Sequence, residues 1–238
     1  MFRKSAFTIT ELSIVLVIIA LITVSSTAGL KLVEQSKIHK LAQEFEENRT
    51  AIVAFRNAYD AFPGDMSSAS SFWSGVGNGD GDGTIAELGS ISETYKFWQQ
   101  LSAAKFITGS YNGTSEHYSI KSFAGGGIFS VRTRNWGALG GGEYHLFFDL
   151  GKLDPEATHT GQVKFLSPYI ISILDKKIDN GIAYSGNVIA LDGRNTEDPP
   201  SFDGDCACAG TGTCSSDYSL SAKGDQCWTL LKLRADLM

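Results

Sequence analysis

The sequence predicts an α+β fold: a long N-terminal helix packed on a head built around a small, mostly antiparallel β-sheet. Three observations carry that expectation. Residues 12–30 hold no charge and are largely branched or straight apolar side chains. Directly afterwards, Ile38, Leu41, Phe45, Ile52, Phe55 and Tyr59 recur at spacings of 3, 4 and 7, which is one stripe of a helix. Beyond Pro63 the composition turns to Gly, Ser, Asn and aromatics, with short strand-like runs beside glycine clusters.

The helix is expected to run unbroken from Phe7 to Tyr59, a rod of roughly 80 Å at the usual rise per residue. Its first half is apolar on every side and long enough to span a bilayer. Its second half is amphipathic, with Lys37, Lys40, Glu44, Glu46, Glu47 and Arg49 mostly off the apolar stripe. Residues 25–27 and Gly29 weaken the helix locally, and no proline interrupts it. Pro63 and Gly64 stop it.

In the head, residues 92–106 read as a helix. Ser90 and Glu93 have the spacing of a capping box, and Phe97, Trp98, Leu101 and Ala104 form one apolar face. Strands are expected at 128–133 and 144–150, each next to a glycine cluster (125–127 and 140–142). Ser167-Pro168 opens a further helix to about residue 178, with proline at a favourable first position. Residues 187–191 and 228–233 are the remaining strand candidates.

Several function classes are disfavoured. The chain has 20 basic and 26 acidic residues, a net charge of -6, and no basic cluster, so nucleic acid is not an expected partner. His39, His117, His145 and His159 are scattered, with no nucleophile motif, zinc spacing or phosphate loop beside them. No enzyme is expected. Cys206, Cys208, Cys214 and Cys227 cluster in a Ser/Gly/Asp-rich tail over 201–238 and read as two disulfides of an oxidising compartment. A single residue separates Cys206 from Cys208, so two pairings stand: 206–214 with 208–227, or 206–227 with 208–214. A zinc cluster is the rival, but the spacing lacks paired C-x2-C knuckles.

The N-terminus carries the most specific signal. Arg3 and Lys4 precede a small residue, Ala6, then Phe7-Thr8-x-x-Glu11 and the apolar run. A secretory signal peptide cut after the run, or a plain anchor, would share the hydrophobicity. Neither has a use for a carboxylate at its edge, where an acid in lipid needs a partner. A local role at the positive end of the helix is the simpler reading of Glu11. The string resembles the prepilin signal of type IV pilins and type II secretion pseudopilins. Segments 61–66 (AFPGDM) and 175–181 (DKKIDNG) also look like parts of larger members.

The resemblance implies a leader at 1–6, a helix at 7–62, transmembrane and then amphipathic, and a head at 63–238. It implies cleavage between Ala6 and Phe7 by a prepilin peptidase, and N-methylation of Phe7. The family usually has glycine where Ala6 stands. It further implies that Glu11 neutralises the N-terminal amine of a neighbouring subunit's Phe7. The implied partners are other pilin or pseudopilin subunits, the prepilin peptidase and, before assembly, the bacterial inner membrane, with the head periplasmic or extracellular. The head's length points to a minor subunit. The alternative function is a secreted or membrane-anchored extracellular binding protein, recognising carbohydrate or mediating surface adhesion through aromatics such as Trp73, Trp98 and Trp136.

Residues 78–87 read NGDGDGTIAE. Asn78, Asp80 and Asp82 alternate, Gly83 permits a sharp turn, and Ile85 pins the loop to a core, as in a calcium loop of EF-hand type. The acid usual at the twelfth position is replaced by Gly89, so Glu87 or Glu93 would have to supply it. The competing reading is a surface turn of Asn, Asp and Gly.

Overall fold

A computed structural model describes residues 8–86, 93–114, 119–121, 127–135, 144–152, 163–192, 206–207, 217–222, 224–225 and 227–233. The side chains of 24–28, 30–31, 119–121, 128, 134–135, 144 and 184 are outside that description. The fold is α+β, as the sequence predicts.

Helix α1 spans Ile9–Tyr59 without interruption. It stops at Asp60, whose left-handed backbone (φ 53°) lets its N–H close on the Arg56 carbonyl, three residues before Pro63. The stripe from Ile38 to Phe55 is buried in the core, while Lys37, His39, Lys40, Glu46 and Glu47 face solvent. The short helix α2 (Ala69–Phe72) follows, then α3 (Glu93–Ala103). The strands are β1 (Ser119–Lys121), β2 (Ile128–Asn135), β3 (Tyr144–Gly151), β4 (Tyr184–Ser185), β5 (Val188–Asp192) and β6 (Cys227–Lys232). Helix α4 (Pro168–Ile178) lies between β3 and β4, with the Ser167 hydroxyl accepting the Ile170 N–H as its cap.

Among the described residues the six strands join one antiparallel sheet in the order β1-β2-β3-β6-β5-β4. The period of two divides its side chains. Phe129, Val131, Leu146, Phe148, Leu150, Val188, Ala190 and Leu231 join the main core with α1, α3 and α4. Phe147, Ile189, Leu191, Trp228 and Leu230 form a second cluster on the other face. Phe148 is the meeting point of the main core: Phe45 of α1 meets it edge-on at 5.8 Å, Phe129 at 5.8 Å, and Trp98 of α3 stacks on it at 6.2 Å. On the opposite face Arg132 pairs with Asp149, both buried.

Trp98 is therefore core. It cannot serve the carbohydrate-binding role considered for it, because its ring is fully covered by its neighbours. Trp73 packs among Phe55, Tyr59 and Phe72, and Trp136 is outside the described residues. Nothing in the sequence predicts α2, β1 and β4; each has at most four residues, too short for a periodic pattern.

Candidate functional site

Two features stand apart from ordinary core and surface. The first is the N-terminal part of α1. Ile9 is 86% exposed and Leu16 67%, and Leu12, Ile14, Val15, Val17, Ile18, Ile19, Leu21 and Ile22 are exposed as well. Helical periodicity does not sort these residues, since apolar side chains occupy every side. Among the described residues no helix is long and apolar enough to cross a membrane. The run of described apolar side chains ends at Ile22, and the side chains of 24–28 are outside the description.

Glu11 sits in a capping box at the start of this helix. The Thr8 N–H and hydroxyl each donate to Glu11 Oε2 at 2.8 Å, and the Glu11 N–H donates back to Thr8 Oγ1 at 3.3 Å. The structure thus gives Glu11 the local role at the helix start. Its Oε1 has no hydrogen-bond partner among the described residues. Ala6 and Phe7 lie outside them.

The second feature is an acidic pocket where the chain leaves α1. Two glycines build it. Gly64 has φ +88°, and a Cβ there would fall 2.6 Å from the Glu93 carbonyl oxygen, so only glycine lets the exit of α1 pass this close to α3. At Gly79 a Cβ would fall 2.3 Å from the Asp65 backbone, and the Gly79 N–H bonds the Met66 carbonyl at 2.9 Å. Residues 79–83 are consequently laid directly on Asp65.

Within the loop, Asp80 Oδ1 accepts the Asp82 N–H at 3.1 Å, and Asp82 Oδ1 accepts the Thr84 N–H at 2.7 Å. Carboxylates from outside hold the loop: Asp65 Oδ2 takes the Gly83 N–H at 3.1 Å, and the two oxygens of Glu93 take the Asp80 and Ala86 N–H groups at 3.0 Å each. Ile85, buried, fastens the far end to β2, its N–H donating to Thr133 Oγ1 at 2.7 Å.

One carboxylate oxygen from each of Asp65, Asp80, Asp82 and Glu93 lies within 4.8 Å of the others. Asp65 is only 4% exposed and Glu93 0%, while Asp80 and Asp82 reach solvent. Burial pushes the carboxyls of both Asp65 and Glu93 above the usual range. The loop N–H groups pull against that shift, and the negative neighbours add to it.

This set differs from the one the spacing suggests. Asp80 and Asp82 belong to it, and Glu93 supplies the distant acid. Asn78 does not: its Oδ1 accepts the Ser70 N–H of α2 at 2.7 Å. Glu87 lies outside the described residues. Asp65 was missed as a site residue. Its signal was the Pro-Gly-Asp string after α1, which shows a turn but not that the turn delivers its carboxylate to a loop 15 residues on.

In the tail, a disulfide joins Cys206 to Cys227. That excludes the 206–214 with 208–227 pairing, because Cys206 is brought against the first residue of β6. Cys208 and Cys214 are outside the described residues. The Cys206 N–H donates to Asp192 Oδ1 at 2.7 Å, its carbonyl accepts the Ser219 N–H at 2.8 Å, and the Tyr218 hydroxyl donates to Asp175 Oδ2 at 2.7 Å. The 175–181 segment is a clamp of the same kind. Asp175 Oδ1 accepts the Gly181 N–H at 3.1 Å, and Asp179 Oδ2 accepts the Asn187 N–H at 2.5 Å. Searches against protein families, curated proteins and solved structures found no match for this chain.

Proposed function

We propose that the chain is a structural, minor subunit of a type IV pilus or type II secretion pseudopilus, assembled by helix–helix packing after cleavage before Phe7. The observation that supports this reading best is the division of α1. From Ile38 onward one face is buried in the head, whereas residues 9–22 expose apolar side chains all round. A bare apolar rod on a folded head needs lipid or copies of itself to cover it. The Phe7-Thr8-x-x-Glu11 string at its start is the sequence signal that favours copies of itself. The membrane holds the subunit first, and heterologous contacts between helices then extend a filament. Glu11, with one oxygen engaged by Thr8, uses the other to receive the Phe7 amine of the next subunit. Two opposite charges in an apolar core are costly apart and tolerable together.

Mass spectrometry of the mature N-terminus tests the reading. N-methylated Phe7 is expected; a chain beginning at Gly29 or retaining Met1 overturns it. Glu11→Ala is expected to give a processed membrane protein that enters filaments poorly, and normal incorporation would remove the role assigned to Glu11.

A further inference from the structure

We propose that Asp65, Asp80, Asp82 and Glu93 form a calcium site that fastens the exit of α1 to α3 and to the β2 side of the head. The acidic cluster is not the whole case. Asp65 is 96% buried, yet its Oδ1 has no hydrogen-bond partner, while its Oδ2 is occupied by the Gly83 N–H. A buried carboxylate oxygen left without a donor carries a desolvation cost that either a proton or a bound cation has to offset. Among the described residues no lysine, arginine or histidine pairs with Asp65, Asp80, Asp82 or Glu93. Lys96, three residues beyond Glu93 on α3, donates instead to the Asn78 carbonyl.

The donor set favours calcium over magnesium, which keeps several waters and is held by one or two carboxylates rather than by an all-protein cage. Calcium takes oxygen ligands at about 2.3–2.6 Å, so oxygens on opposite sides of it stand roughly 4.6–5.2 Å apart; magnesium requires about 4.0–4.2 Å and near-octahedral geometry. Oxygens all within 4.8 Å of one another are close enough to share one such ion. The donors are hard carboxylates without nitrogen or sulfur, which argues against zinc or copper. The four carboxylates come from three segments: the turn after α1, the loop at 80–82 and the first residue of α3. An ion shared among them adds a further link between parts of the chain that the loop hydrogen bonds already join. The site does not depend on whether α1 enters a filament.

The test is calorimetric titration of the full chain in detergent micelles, stripped of metal with EGTA, using calcium chloride and, separately, magnesium chloride. One saturable calcium site is expected, with an affinity at or tighter than the range of about 0.1–1 mM seen for extracellular calcium modules. Magnesium is expected to bind at least tenfold more weakly. At about ten times the dissociation constant, calcium should raise the melting midpoint by roughly 3–6 °C.

Asp82→Asn, whose described hydrogen bonds reach only the exposed Asp80–Thr84 turn, is expected to keep the calcium-free melting midpoint and lose at least tenfold in calcium affinity. Asp225→Asn, a distant surface acid paired with Lys152, is expected to bind as wild type. No saturable heat from wild type up to about 10 mM calcium overturns the proposal. So does an Asp82→Asn chain that binds like wild type, or equal affinity for magnesium.

Discussion

Removing the Cys206–Cys227 bridge is the perturbation whose size the structure fixes most directly. The bond closes a loop with a sequence separation of 21. Chain-entropy arguments give about 3 kcal/mol at 25 °C for a loop of that length. Both cysteines are fully buried, so deleting two sulfurs adds a packing loss on top, and Cys206→Ala/Cys227→Ala should cost about 3–5 kcal/mol. Cys227 is held independently, its N–H and carbonyl bonding Leu166 and Phe165. The loss therefore falls on the segment around Cys206 and Tyr218, not on the start of β6.

The double variant leaves Cys208 and Cys214 able to pair only with each other. Urea unfolding of the full chain in detergent, without reductant, followed by tryptophan fluorescence, measures the effect; Trp228 lies directly beside the bridge. For a chain of this size the same loss lowers the melting midpoint by roughly 6–15 °C. A loss below about 1 kcal/mol would refute the reasoning, since it would mean that the bridge does not restrict the unfolded chain.

Other perturbations follow from buried charge. Arg132→Met leaves the fully buried Asp149 without its guanidinium and should cost about 3–5 kcal/mol in urea unfolding, while Arg132→Met/Asp149→Leu should recover most of it. Equal losses in the two variants would show that the pair is not the source. Burial holds the Asp175 carboxyl above the ordinary range despite the Tyr218 hydroxyl and the Gly181 N–H, with the Asp179 charge adding to the rise. The native state then takes up the proton before the unfolded chain does. Wild type should gain stability relative to Asp175→Asn as pH falls from above the raised native value to about 3.9, and the difference should be constant below that. A difference that shrinks as pH falls would reverse the assignment.

Much of the fold was legible because it rests on periodicity. The stripe from Ile38 to Tyr59 specified the buried face of α1, since residues three and four apart share a side of a helix whatever they pack against. The strands β2, β3, β5 and β6 were each placed within two residues, because alternation and flanking glycine are local properties. Ser167-Pro168 marked the start of α4 for the same reason. Glu93 has capping-box spacing with Ser90, which lies outside the described residues, and its two oxygens take N–H groups of the 80–86 loop, which no local pattern predicts. A side chain's bonding partner is a three-dimensional matter even where its position in an element is not.

The sequence by itself determined an α+β fold and a long first helix with an amphipathic stripe from Ile38 onward. It also determined a loop of alternating carboxylates at 80 and 82 and a tail rich in cysteine. Those are consequences of side-chain order along the chain. Only the tertiary structure decided that Asp65 and not Asn78 completes the acidic pocket, that Cys206 pairs with Cys227, and that Trp98 stacks on Phe148 in the core. Each of these joins segments far apart in sequence. What brings them together is the shape of the packed core and the close approach that Gly64 and Gly79 allow, neither of which has a period to read.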